Sequence, residues 1–104
     1  MKLLTQDVLK QLPALGSQEE KGLDALAVVK FFYPDFHWTW YASEFDGEMF
    51  CGLVVGFEPE LGYFSLSELE SVRGKLGLPV ERDKLFTPTS LRELMAEHRA
   101  GLAA

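Results

Sequence analysis

Apolar and polar positions alternate most regularly across residues 36–58, FHWTWYASEFDGEMFCGLVVGFE. Period-two alternation marks a strand with one buried face. Asp46-Gly47 in its middle is a strong hairpin signal, because Gly accepts and Asp tolerates the positive φ of a type I′ turn. Folding about that turn sets Phe45 against Glu48, Ala42 against Cys51, Tyr41 against Gly52 and Trp38 against Val55. One face then collects Trp38, Trp40, Ala42, Met49, Cys51, Leu53 and Val55, and is expected to be core. The other carries Thr39, Tyr41, Ser43, Phe45, Phe50 and Val54, and is either half-covered by a helix or left as a binding surface.

The flanking segments switch to helical spacing. Thr5 has the position of an N-cap, with Leu4 and Leu9 as a hydrophobic staple, and Pro13 ends the short helix that carries Val8, Leu9 and Leu12. Residues 14–22 have no periodicity and are expected to form an exposed connecting loop. Residues 23–33, rich in Val, Phe and Ala, predict a strand, and Pro34-Asp35 turns the chain into the hairpin. Pro59 is expected to close the third strand, with residues 61–64 available as a short fourth. Ser65 and Glu68 form a capping box that opens a helix over residues 66–73, with Gly74 as its C′ residue. Residues 81–83 fall in an irregular or extended link. Thr89 or Ser90 caps a last helix that carries Leu91, Leu94, Met95 and His98 on one face. The pattern predicts one α+β domain over residues 1–104, an antiparallel three- to four-stranded meander packed with N-terminal, middle and C-terminal helices.

Charge changes this picture more than composition does. The net charge is −6 over 104 residues, but residues 31–72 hold eight acids and no Lys or Arg, while the remainder holds eight acids and all ten bases. A sheet built from that block repels a nucleic-acid backbone, which needs Lys or Arg. The single cysteine, Cys51, excludes an intrachain disulfide and fits a reducing cytoplasm. No apolar run approaches membrane length, and Leu3-Leu4 is too short for a signal-peptide core.

Candidate chemistry is sparse. Glu44, Asp46 and Glu48 cluster at the hairpin tip, where a solvated acidic turn is the simpler reading than a site for a hard cation. Neither His37 nor His98 has a nucleophile nearby in sequence to serve as a general base. Cys51 is expected to be an inert buried thiol. Trp38, Trp40 and Tyr41 have the composition of a stacking platform, yet the tryptophans fit a core equally well, which leaves Tyr41 as the surface aromatic. Glu70, Arg73, Glu81, Arg82 and Asp83 are a candidate polar cluster between helix and link.

A long string of short motifs carries a resemblance: Lys2-Leu3-Leu4, Val29-Lys30-Phe31-Phe32, Trp38-Thr39-Trp40-Tyr41, Glu44-Phe45-Asp46-Gly47 and Gly56-Phe57-Glu58, then Glu60-Leu61-Gly62-Tyr63-Phe64-Ser65-Leu66, Gly77-Leu78-Pro79 and Glu81-Arg82-Asp83. On these, nearly the whole chain resembles a family of short bacterial proteins described as domain of unknown function 2958. The resemblance implies an association with plasmids, phages and integrative elements, and it brings no established activity or catalytic residues. His37 looks like a departure from the Asn more usual before Trp38.

The leading expectation is a non-enzymatic, acidic accessory protein of such an element, without a cofactor. Its candidate surface is Tyr41, Glu44, Asp46, Glu48 and Phe50, facing a protein partner with a basic surface. The alternative is a small enzyme or metal-dependent binder using Glu44, Asp46, Glu70, Glu81 and Asp83. A third reading, single-stranded nucleic-acid binding by the aromatics, is opposed by the charge of the block.

Overall fold

The computed structural model describes residues 3–103; Met1, Lys2 and Ala104 lie outside them. In chain order the elements are α1 (Gln6–Gln11), a 3-10 segment (Glu19–Asp24), β1 (Leu26–Ala27), β2 (Val29–Phe32), β3 (Thr39–Phe45), β4 (Met49–Val55), β5 (Pro59–Ser65), α2 (Leu66–Ser71), β6 (Glu81–Arg82), β7 (Thr89–Ser90) and α3 (Leu91–Ala103). The fold is α+β. β2 to β5 form an antiparallel meander, β6 joins it beyond β2, and the sheet order is β5-β4-β3-β2-β6.

The helix starts form as their side chains dictate. Thr5 Oγ1 accepts from Val8 N–H at 3.3 Å, Ser65 Oγ from Glu68 N–H at 3.3 Å, and Ser90 Oγ from Glu93 N–H at 3.1 Å. Each hydroxyl satisfies an orphan donor of the first turn. α2 ends earlier than its sequence predicts. Val72 turns extended (ψ 155°), because residues 73–79 close on themselves through an Arg73–Pro79 bridge.

The hairpin turn is not type I′. Among the described residues only glycines have positive φ, so Asp46 does not adopt it; Gly47 does, at 108°. Asp46 Oδ1 instead accepts from Glu48 N–H (2.9 Å) and Met49 N–H (2.7 Å), an Asx turn that widens the loop to four residues and pairs Phe45 with Phe50. A bulge between Ala42 and Glu44 then absorbs one residue, so Ala42 faces Gly52 and Tyr41 faces Leu53. The expected face is therefore split. Trp38, Trp40 and Ala42 do share a face, but with Phe50 and Val54; Cys51, Leu53 and Val55 lie on the other.

Both faces are covered. The first buries Val29, Phe31, Trp40, Ala42, Phe50 and Phe64 against Leu69 of α2, Leu3 and Val80, with Val8 and Leu12 of the first helical segment packed at the margin. Phe50 is fully enclosed, stacked on Phe45 (ring centroids 4.3 Å) and Phe64 (5.1 Å) and tilted against Phe31 (5.3 Å). Its truncation to Ala is expected to cost about 3–5 kcal/mol. The second face buries Ala27, Tyr41, Leu53 and Val55 under Leu91, Leu94 and Met95 of α3.

Three further expectations are corrected. The strand expected over residues 23–33 breaks at Val28: its first part pairs with β7 and its second with β3. Pro59 opens β5 rather than closing β4, and the fourth strand is a full seven residues. The link at Glu81-Arg82 is an edge strand paired to Phe32 and Phe31.

Candidate functional site

The surface expected at the hairpin tip does not form as a unit. Tyr41 and Phe50 are buried on opposite faces of the sheet, at 4% and 0% exposure, because the bulge and the wider turn reassign their sides. Glu44 is also buried, at 4% exposure. The bulge turns it toward the α3 face, where Oε1 accepts from Gly16 N–H (2.9 Å) and Oε2 from Gln18 N–H (2.6 Å). The loop expected to be a plain connector is thus pinned to the sheet by one carboxylate. Asp46 and Glu48 remain exposed. The Met49 and Glu48 N–H groups hold the Asp46 carboxyl below the usual carboxylate range. Glu48 is lowered chiefly by the Ser65 hydroxyl, with help from Ser67.

The candidate polar cluster is dispersed as well. Arg73 Nη1 donates to the carbonyls of Glu70 (3.1 Å) and Val72 (2.8 Å), so it caps its own helix end. Arg82 Nε donates to Leu3 C=O at 2.9 Å, and Asp83 pairs with Lys30 at 3.6 Å. Glu81 lies along the β6 edge and Glu70 on exposed α2. Among the described residues no group of three or more His, Cys, Asp or Glu side chains is placed to hold a metal ion.

Tertiary structure brings together groups that sequence reasoning left apart. Tyr41 Oη and His98 Nε2 lie 2.8 Å apart beneath α3. Burial above all, with the charges of Glu97 and Asp83, pushes the Tyr41 phenol up to about 12. Burial holds the His98 imidazole below its ordinary value. Cys51 is half-buried opposite Glu44, and its thiol is raised first by burial and then by the Glu44 charge. An unactivated thiol and a neutral imidazole engaged with a phenol make no nucleophile–base pair.

Two features are open to a partner. The first is the outer edge of the sheet. Among the described residues no strand pairs with the far side of β5. Leu66 N–H donates to Glu48 C=O at 2.8 Å, and alternation along an antiparallel ladder then directs Phe64 and Gly62 toward β4. The N–H and C=O groups of Leu61 and Tyr63 therefore point outward. Their side chains are exposed too, at 51% and 67%. Glu58 and Glu60 stand exposed at one end of the strand, with Asp46, Glu48, Glu68 and Glu70 exposed toward the other.

The second is an aromatic cleft of about 320 Å³ between the β2–β3 connection and residues 73–75. Tyr33, Phe36, Trp38 and Trp40 line one side, and Arg73, Gly74 and Lys75 the other. Asp35 Oδ2 accepts from Leu76 N–H at 2.6 Å and clamps that loop to the sheet. A Cβ on Gly74 would overlap Asp35 Oδ1, which is why glycine is needed there; it is not the C′ residue its sequence position suggests. The signal for this cleft was weak in sequence, since its cations lie more than thirty residues from its tryptophans.

No helix among the described residues is long and apolar enough to cross a membrane. No curated protein and no solved structure matches the chain. One family model does match, over residues 3–100, and by it the chain belongs to the family described as protein of unknown function (DUF2958).

Proposed function

We propose that this protein is a non-enzymatic binding module that takes an extended, basic segment of another protein onto its β5 edge. The observation that carries the reading is the outward-facing backbone of Leu61 and Tyr63 on an outermost strand flanked at both ends by carboxylates. Strand addition draws its affinity from such unpaired backbone groups, and its specificity from neighbouring side chains and charge. Proteins commonly blunt an edge with Lys. Here every charged residue from 31 to 72 is acidic. That field attracts a Lys- or Arg-bearing strand, repels nucleic acid, and discourages edge pairing between two copies of this chain. The acidic surface foreseen at the hairpin tip is thereby moved to the strand beyond it. A reducing cytoplasm and an accessory role in a plasmid, phage or integrative element fit this reading, through the lone thiol and the family resemblance respectively.

The test is fluorescence polarisation with a labelled peptide that alternates Lys and Val, across a salt series. Saturable binding that weakens as salt rises is expected. Tyr63→Pro deletes one outward N–H without touching the ladder to β4, and is expected to weaken binding about tenfold, while Tyr63→Ala, which keeps the N–H, weakens it less. Circular dichroism checks that both variants keep the fold. Binding that is indifferent to salt, to Tyr63→Pro and to Glu58→Lys/Glu60→Lys would overturn the proposal.

A further inference from the structure

The geometry points to the aromatic cleft as a site for a single nucleoside monophosphate, with the base against the aromatic wall and the phosphate at Arg73 and Lys75. This is independent of the β5 edge.

The aromatic wall is held in place before any ligand arrives. Phe36 and Trp38 lie in nearly parallel planes (11°, ring centroids 6.3 Å), and Tyr33 meets Trp40 edge-on at 5.4 Å. Trp40 is anchored in the core, while Phe36 is 36% exposed and Trp38 half-buried, so flat ring surface remains for a planar guest. A base offers a π face that any of these rings can stack on. The cleft volume is at the small end of ligand pockets, which span roughly 300–1,000 Å³. It suits one ring system, not two.

The cations settle the sign of the ligand. Lys30 is paired with Asp83 and Arg92 with Asp24, while Arg82 and Arg73 donate to backbone carbonyls, Arg73 through Nη1 to Glu70 and Val72, which leaves their charge uncompensated. Among the described residues neither Arg73 nor Lys75 has a carboxylate within ion-pair distance. Lys75 Nζ already sits 5.8 Å over the Phe36 ring. An ammonium guest, the usual occupant of an aromatic cage, would be repelled by both. A phosphate meets a guanidinium and an ammonium together. Asp35 lies under Gly74 with Oδ2 on Leu76 N–H and Oδ1 buried without a hydrogen-bond partner among the described residues, so the phosphate is placed away from it, at the outer rim.

Neighbouring charge limits the ligand to one phosphate. Trp38 also walls an adjoining hollow of about 230 Å³ lined by Phe57, Glu58 and Glu60. A second nucleotide running across Trp38 would bring its phosphate to two carboxylates. A mononucleotide escapes this; a single strand does not.

The experiment titrates the whole chain with adenosine and guanosine monophosphates, the matched nucleosides, inorganic phosphate and a short single-stranded oligonucleotide, reading tryptophan fluorescence. The expected result is saturable quenching by a monophosphate, at least about tenfold tighter than by its nucleoside. The oligonucleotide is expected to bind no tighter than the monophosphate. Arg73→Gln/Lys75→Gln, with circular dichroism checking that the fold survives loss of the Arg73 bonds to α2 and of the Lys75 contact with Phe36, should abolish the difference between nucleotide and nucleoside. Equal affinity for nucleotide and nucleoside overturns the proposal. So does phosphate binding as tightly as the nucleotide, a tighter oligonucleotide, or no quenching by any monophosphate.

Discussion

Replacing Glu44 by Gln changes one oxygen for one NH₂ at a site with 4% exposure, and it should be among the most damaging isosteric substitutions in the chain. The carboxylate accepts from Gly16 N–H and Gln18 N–H, one on each oxygen. A hydrogen bond to a charged acceptor is worth about 1.5–3 kcal/mol. Glutamine keeps one acceptor, without the charge, and sets an NH₂ against the other N–H, donor facing donor. The loss is therefore about 2–4 kcal/mol, a large part of the ~5–15 kcal/mol that holds a domain. At ~4–8 °C per kcal/mol for a chain near this length, Tm should fall by roughly 10–25 °C in a circular-dichroism melt. A second readout is chemical. The Glu44 charge and its hydrogen bond help hold the Cys51 thiol up, so E44Q should speed alkylation of Cys51 at mildly alkaline pH. A melting temperature equal to the parent's would refute the assignment of Glu44 as the latch on residues 16–18.

Other consequences follow from groups already placed. The His98 imidazole is held below its usual 6.5, by burial first and then by Lys30, with Glu97 opposing, so the unfolded chain takes up the proton more readily. This contribution to stability is present above pH 6.5 and is lost as pH falls through the folded value; His98→Phe should flatten that acid limb in a series of melts. Tyr41, raised to about 12 in the folded chain from 10 and facing Glu97 and Asp83, contributes stability below pH 10 that is lost between pH 10 and 12. Gly56→Ala would set a Cβ into the Trp38 ring; about 1–3 kcal/mol of lost stability and red-shifted tryptophan emission are expected, and an unchanged spectrum would contradict the packing.

What the sequence made legible was local. Thr5, Ser65 and Ser90 announce helix starts because a cap needs only a hydroxyl three residues before an N–H. The alternation of β3 and β4 survives as strands, and Trp40 is core. Register was not legible, because two compensations act at once. The Asp46 side chain replaces backbone strain in the turn, and the bulge at residues 42–44 removes half of the resulting two-residue offset. Together they bury Tyr41 and Phe50 on opposite faces, a result no alternation pattern shows. β6 was missed for a related reason: two polar residues have no period, and their pairing comes from Phe31 and Phe32. The aromatic cleft depends on an Asp35 carboxylate reaching Leu76 N–H, forty-one residues on. The concentration of acids was visible from the start, but not which of them reach solvent: Glu44 is internal, whereas Glu58, Glu60, Glu68 and Glu70 are exposed.

Residue-resolved amide exchange, with and without a saturating lysine-bearing strand peptide, bears most directly on the edge-strand reading. The amides of Leu61 and Tyr63 should exchange quickly in the free protein and slow markedly in the complex, while those of Gly62 and Phe64, already bonded toward β4, change little. A saturated complex in which Leu61 and Tyr63 stay unprotected would place the partner elsewhere and contradict the account.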